Sequence, residues 1–270
     1  MNRLTKRQLV RRTILWVMFL TFPIVQMYLS PATPFLGAMK GVLTGSVLLF
    51  GTLFLSALFF GRAYCGWLCP VAGYQEVCSD ISNKPVSTLR FDFIKFLVWG
   101  IMIALFVIFS VKAGGITTVN PLHSTTRGIS MDKPGKLLVY YGVLIPIFLM
   151  SVFIGRRSFC HHLCWMSPFL IAGRSIRNLV NWPSLQLEKT AQQCPPDCEI
   201  CNQICTMSLD VKGMLSAGKL EHPECVLCGA CVDSCPENIL KFDFGRSGAL
   251  GNRTVERCSA VQAEREIVCH

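Results

Sequence analysis

Negative charge is scarce in this sequence. The first acidic residue is Glu76, residues 1–185 carry 4 Asp/Glu against 18 Lys/Arg, and charged residues make up 16% of all 270 while hydrophobic ones make up 51%. That balance excludes an ordinary soluble domain of this length. A CxxCH haem-attachment motif is missing, and so is the small-residue site at which a signal peptide is cut. Phe22, Pro23, Tyr28 and Pro31 occupy the exit of the first apolar run instead, so that run is expected to be retained as a membrane segment. The fifteen cysteines do not read as a disulfide scaffold, because secreted scaffolds of that density are short and lack long apolar stretches. Thiols that face a reducing compartment and ligate metal are expected instead. The cations flank apolar runs rather than forming a separate basic face, so no nucleic-acid partner is expected.

Four apolar runs approach the roughly 17–25 residues needed to span a bilayer. They are 13–30, 41–60, the stretch between Lys95 and Lys112, and 137–155, which predicts an α-helical membrane domain of four transmembrane helices over residues 1–185. Four spans put both termini on one side. If that side is cytoplasmic, the inner segments hold twelve Lys/Arg and the outer loops five, the asymmetry of the positive-inside rule. The third run relies on its two bounding lysines snorkelling towards the interfaces. Trp16, Trp67, Trp165 and Trp182 are expected near the cytoplasmic interface, and Trp99 inside the third run as packing. The outer loop 114–136 carries His123 and Arg127, which read as solvated or as a docking point for a partner.

The runs form two repeated hairpins. The second ends in Gly61-Arg62-Ala63-Tyr64-Cys65-Gly66-Trp67-Leu68-Cys69-Pro70 and the fourth in Gly155-Arg156-Arg157-Ser158-Phe159-Cys160-His161-His162-Leu163-Cys164. Pseudo-two-fold packing of such repeats would bring Cys65, Cys69, Cys160 and Cys164 together at the cytoplasmic membrane surface. Four thiolates would complete a site for an iron–sulfur cluster or a tetrahedral zinc; the alternatives are small buried apolar side chains or a redox-active thiol pair. The repeat is imperfect: Pro70 follows Cys69 directly, Pro168 comes four residues after Cys164, and the second copy has an extra residue after Gly-Arg. His161 and His162 diverge by about a hundred degrees on a helix, so at most one is a ligand.

Residues 186–243 reverse the charge balance, with 9 Asp/Glu against 4 Lys/Arg, and form a second domain on the cytoplasmic side. Cys225, Cys228, Cys231 and Cys235, followed by Pro236, reproduce the bacterial ferredoxin spacing, in which three thiolates hold one [4Fe–4S] cube and the fourth reaches its neighbour. Cys194, Cys198, Cys201 and Cys205 give the same order with one extra residue in the first gap. Two runs imply two [4Fe–4S] clusters, with Cys205 joining Cys225, Cys228 and Cys231, and Cys235 joining Cys194, Cys198 and Cys201. Zinc ribbons are the competing reading, but they leave Cys231 and Cys235 at ferredoxin spacing without a role. The spacer 206–224 is predicted to hold a short helix and a turn. Residues 244–270 are expected to be a poorly ordered tail, and Cys78, Cys258 and Cys269 match no motif.

On these motifs, residues 1–243 resemble the NapH-type membrane ferredoxins, within a wider group that includes MauN, NosR and CcoG. The second Cys-x-x-x-Cys lacks the immediate proline of that pattern, and the large extra domains of NosR and CcoG relatives are absent. The resemblance implies a multi-pass protein of a prokaryotic cytoplasmic membrane that passes electrons between the quinol pool and a respiratory reductase system, as a subunit of a quinol dehydrogenase-type complex. Its implied partners are the quinone pool or a membrane cytochrome, other ferredoxin-type or reductase subunits, and lipid. A maturation or metal-handling reductase of the MauN or CcoG kind is the alternative, and a structural anchor for a soluble ferredoxin the third.

Overall fold

The computed structural model describes residues 5–86, 91–125, 127–131, 134–190, 194–195 and 197–246. Arg3, Arg90 and Lys133 of the charge count, Cys258, Cys269 and the expected tail from residue 247 onward lie outside the described residues.

The chain opens with α1 (Lys6–Leu20), capped by the Thr5 hydroxyl accepting from the Gln8 amide. At Thr21 it bends by 79° into α2 (Phe22–Leu29), where Pro23 cannot donate the bond that would continue α1. After α3 (Ala32–Ala38) and β1 (Val42–Thr44) comes α4 (Gly45–Phe60), then a five-residue α5 (Ala63–Trp67) and α6 (Pro70–Ile81). The second half repeats this order with α7 (Phe93–Lys112), β2 (Thr118–Asn120), α8 (Pro134–Phe153), α9 (Ser158–His162) and α10 (Ser167–Val180).

Two helices, α7 and α8, are long and apolar enough to cross a bilayer, and the bent pair α1 and α2 makes a third if counted as one broken span. The second apolar run gives a shorter helix, which spans only if the bilayer thins or its flanks reach the interfaces. Gly61 adopts φ +54 and ends α4 after 16 residues, which at about 1.5 Å per residue is roughly 24 Å against a hydrocarbon core of roughly 30 Å. In the third run, Lys95 lies inside α7 and is fully buried against Glu224 instead of snorkelling.

Packing exchanges the halves. α4 lies on α10 and α6 on α8, while α1 lies on α6 and α7 on α10; swapping one repeat for the other maps each pair onto its counterpart, as a pseudo-two-fold axis requires. Glycines permit the closest approaches. A Cβ at Gly73 would stand 2.3 Å from the Leu15 carbonyl oxygen, and one at Gly173 would stand 2.6 Å from that of Phe54. On the opposite side, β1 and β2 pair in parallel, with Val42 opposite Thr118, and join the two halves.

The cysteine-rich module consists of β3 (Ser184–Lys189), α11 (Ile200–Ile204), α12 (Val211–Ser216), α13 (Ala230–Asp233) and β4 (Leu240–Gly245). β3 and β4 pair antiparallel, Ser184 opposite Gly245 and Lys189 opposite Leu240. β3 begins two residues before the limit drawn at 185/186, and β4 runs to Gly245, past the limit drawn at 243/244.

Replacing Gly73 by Leu should lower the midpoint of thermal unfolding in detergent, with an overpacking cost of about 1–3 kcal/mol. Gly51→Ala, on a face of α4 with nothing within 4 Å of the added carbon, should leave it unchanged or slightly raised.

Candidate metal centres

The two Cys-x-x-x-Cys segments fold alike. Leu68 and Cys69 both donate their amides to the Tyr64 carbonyl, at 2.9 and 3.0 Å, and Leu163 and Cys164 both donate to that of Phe159, each at 3.0 Å. Leu68 and Leu163 share nearly the same backbone angles, φ −123 and −121. The copies are thus in register from Arg62 and Arg157 onward, and the extra residue of the second copy falls before Arg157. Pro70 and Pro168 each start the returning helix, where a missing N–H costs nothing, so the shifted proline keeps its role.

Cys65, Cys69, Cys160 and Cys164 all lie buried in one core cluster. Burial pushes the Cys65 and Cys69 thiols up. Cys164 hydrogen-bonds with Cys160 and is itself held high, whereas Cys160 is pulled down by that bond, by Arg157, by Gln75 and by Arg62. The Gln75 amide donates to the Cys160 Sγ at 3.1 Å.

Two buried carboxylates stand beside these turns. Glu76 accepts from Arg11 and from Arg157, each at 2.6 Å. Glu224 accepts from Arg62 at 2.7 Å and from Lys95 at 2.5 Å. Burial alone would raise both acids, but Arg157 and Arg11 hold Glu76 below the usual carboxylate range, and Arg62 and Lys95 hold Glu224 at about 2. Four buried cations against two carboxylates leave two positive charges over, next to the thiols. His161 and His162 are occupied otherwise: His161 Nε2 lies 3.0 Å from the Met207 carbonyl oxygen, and His162 Nδ1 lies 3.3 Å from Asp92.

In the module, Cys205, Cys225, Cys228 and Cys231 line one small cavity with Met207, Val226 and Leu227. Cys194, Cys198, Cys201 and Cys235 line another with Leu215 and Ile239. Each cavity takes three cysteines from one run and the last cysteine of the other. The Leu209 amide donates to Cys205 Sγ and the Ile239 amide to Cys235 Sγ, both at 3.4 Å, the same four-residue offset in each half. Burial pushes Cys205 up to about 12, so a bound metal has to supply the charge stabilisation that water cannot. Among the described residues no three His, Cys, Asp or Glu side chains converge on a single ion. All-thiol donor sets with amide donors aimed at sulfur and apolar walls fit a cluster better than a zinc ion, whose ligands meet at one point about 2.3 Å from each sulfur.

The first of these cavities abuts the membrane-half thiols. A Cβ at Gly66 would stand 2.3 Å from the Val226 carbonyl oxygen, and Trp67 Nε1 donates to the Leu227 carbonyl at 3.0 Å, so Trp67 serves the module rather than the interfacial belt. Gln8 donates to the Cys228 carbonyl at 3.0 Å and Arg174 to that of Cys225 at 2.9 Å. Sequence reasoning counted Arg11, Arg62, Arg157 and Arg174 only as cytoplasmic charge. Burial of so many arginines beside glycine-flanked cysteines was invisible without their distant carboxylates.

Replacing Glu224 by Gln should cost about 3–5 kcal/mol, the penalty for stranding a buried charge, and release the module to trypsin under conditions where the parent protein resists. The acid's contribution is complete above the ordinary carboxylate range and is lost as pH falls towards 2.

The 4Fe-4S binding domain family matches residues 42–88 and 138–170, the stretches that carry Cys65, Cys69, Cys160 and Cys164. The methylamine utilization ferredoxin-type protein MauN of Methylorubrum extorquens is 29% identical over 220 residues, 77% of this chain and 72% of that protein. The ferredoxin-type protein NapH of Haemophilus influenzae is 24% identical over 203 residues, 71% and 66% of the two chains. The regulatory protein NosR of Stutzerimonas stutzeri is 27% identical over 69% of this chain but only 26% of its own length. No solved structure matches the chain. The chain thus carries a match to a 4Fe-4S binding domain and is similar over most of its length to ferredoxin-type proteins of the NapH, MauN and NosR group.

Proposed function

We propose that this protein is a four-span subunit of a prokaryotic cytoplasmic membrane that carries electrons between the quinol pool and a respiratory reductase system, with both termini and the module on the cytoplasmic side. Eight cysteines of the module hold two [4Fe–4S] clusters: Cys205, Cys225, Cys228 and Cys231 the proximal one, and Cys194, Cys198, Cys201 and Cys235 the distal one. Cys65, Cys69, Cys160 and Cys164 form a third, shared site. Bound clusters supply one-electron redox chemistry; the chain supplies their spacing and their electrostatic surroundings.

The observation that carries this reading is the seating of the Cys225–Cys228 loop on the Cys65–Cys69 turn through Gly66 and Trp67. It sets the proximal cavity against the membrane thiols, an arrangement that supports stepwise electron transfer between them. The two surplus buried cations support it from a second direction, because clusters ligated by thiolates are anionic. A maturation or metal-handling role is less well supported. It calls for thiols accessible to a recipient, and these four are only 3–5% exposed.

Anaerobically prepared protein should contain about twelve iron atoms, from three four-iron sites; eight would remove the third site, and one or two zinc atoms would remove the assignment altogether. Cys65→Ser and Cys160→Ser should each lose the same iron and the same quinol-linked activity, with the double replacement little worse. Independent, additive losses would separate the two pairs. Reporter fusions after Lys84 and Lys241 should be cytoplasmic, and fusions after Lys40 and Arg127 periplasmic.

A further inference from the structure

We propose that Arg157 is the positive charge shared by the membrane-half thiols and the proximal cavity, holding both reduction potentials up. This rests on the reading of both thiol sets as redox centres.

Arg157 is 1% exposed and sits at the N-cap of α9 with φ +52 and ψ 28. That left-handed conformation is unfavourable for a residue with a β-carbon, and its repeat counterpart Arg62 escapes it at φ −97. Both guanidiniums nevertheless point inward. There Arg157 Nη1 donates to the Cys65 carbonyl at 3.0 Å and Nη2 to Glu76 at 2.6 Å, while Nε has no partner. Arg157 also lines one cavity with Thr206 and Ala230, the chain neighbours of Cys205 and Cys231, so its charge faces Cys160 of the membrane-half set on one side and the proximal cavity on the other. Of the neighbouring arginines, Arg62 faces Cys65 and Cys160 and spends its charge on Glu224 of the module, and Arg174 faces Cys225.

Adding an electron makes a site more negative by one charge, so a fixed cation in a dry, low-dielectric setting favours the reduced form. Glu76 does not cancel this cation, since Arg11 shares the same carboxylate. One guanidinium between two sites therefore raises both potentials.

The test is potentiometric titration of the intact anaerobic protein with dithionite, read by low-temperature paramagnetic resonance, with iron content as the check on folding. Arg157→Gln should weaken electron binding about tenfold at both sites, a fall of about 59 mV for each one-electron couple. Arg157→Lys, which keeps the charge, should restore most of it. Arg174→Gln should shift the proximal site alone, and Glu76→Gln, which removes the opposing charge, should move both potentials the other way. If Arg157→Gln loses iron, the Lys and Glu76 variants decide. A shift at one site only, or equal shifts from Gln and Lys, would overturn the proposal. If the parent protein holds eight iron atoms, the third-cluster reading fails on that count. The shared charge is then read as the thiol–disulfide potential of Cys160 and Cys164, which must fall in Arg157→Gln together with that of the proximal cluster; an unchanged value overturns it.

Discussion

One buried carboxylate clamps the cysteine-rich half to the membrane half, and a second braces the membrane half beside it. Glu224 comes from the module, one residue before a candidate ligand, and is clamped by Arg62 and Lys95 from the membrane half. Glu76 stays within the membrane half, where it joins α1 to the α9 turn through Arg11 and Arg157. Buried ion pairs of this kind contribute little net stability compared with apolar packing. Their value lies in selectivity of position: a misplaced module would leave Arg62 and Lys95 unpaired in a place that water does not reach. The seating of Val226 on Gly66 agrees with this constraint.

The module was the most legible part of the chain because its ligand spacing is local, set by the reach of a few backbone steps around a compact centre. Its strands were not anticipated: β3 and β4 pair residues more than fifty positions apart, and neither alternates strongly enough to stand out. The spans were legible as composition but not as geometry. An apolar run records what a segment touches and not where a glycine at φ +54 or a proline stops it, which is why the second run becomes a short helix and the first a broken one. The salt-bridge clamps were hidden for a third reason. Arg11 and Glu76 are 65 residues apart, and Arg62 and Glu224 are 162 apart, so each partner reads singly as an ordinary interfacial charge.

The repeat is tighter in space than in sequence. Aligned on Gly-Arg, the copies differ by an insertion; aligned on Arg62 and Arg157, they agree through both cysteines, and the displaced proline still opens the returning helix. Their surroundings have diverged more than their backbones. The first turn meets the module through Gly66 and Trp67, the second through His161 and Met207, so one pseudo-symmetric scaffold presents two different faces to an asymmetric domain.

The pairing of Ser184 with Gly245 means that the module leaves the fold where it entered, on a single two-stranded stem. A domain attached this way behaves as a cassette. It can be lengthened or exchanged without rerouting any helix of the membrane half, provided the replacement presents a carboxylate to Arg62 and Lys95 and a carbonyl to Trp67. Those requirements amount to a socket, and a family built on such a socket can keep one membrane half while varying the redox unit plugged into it.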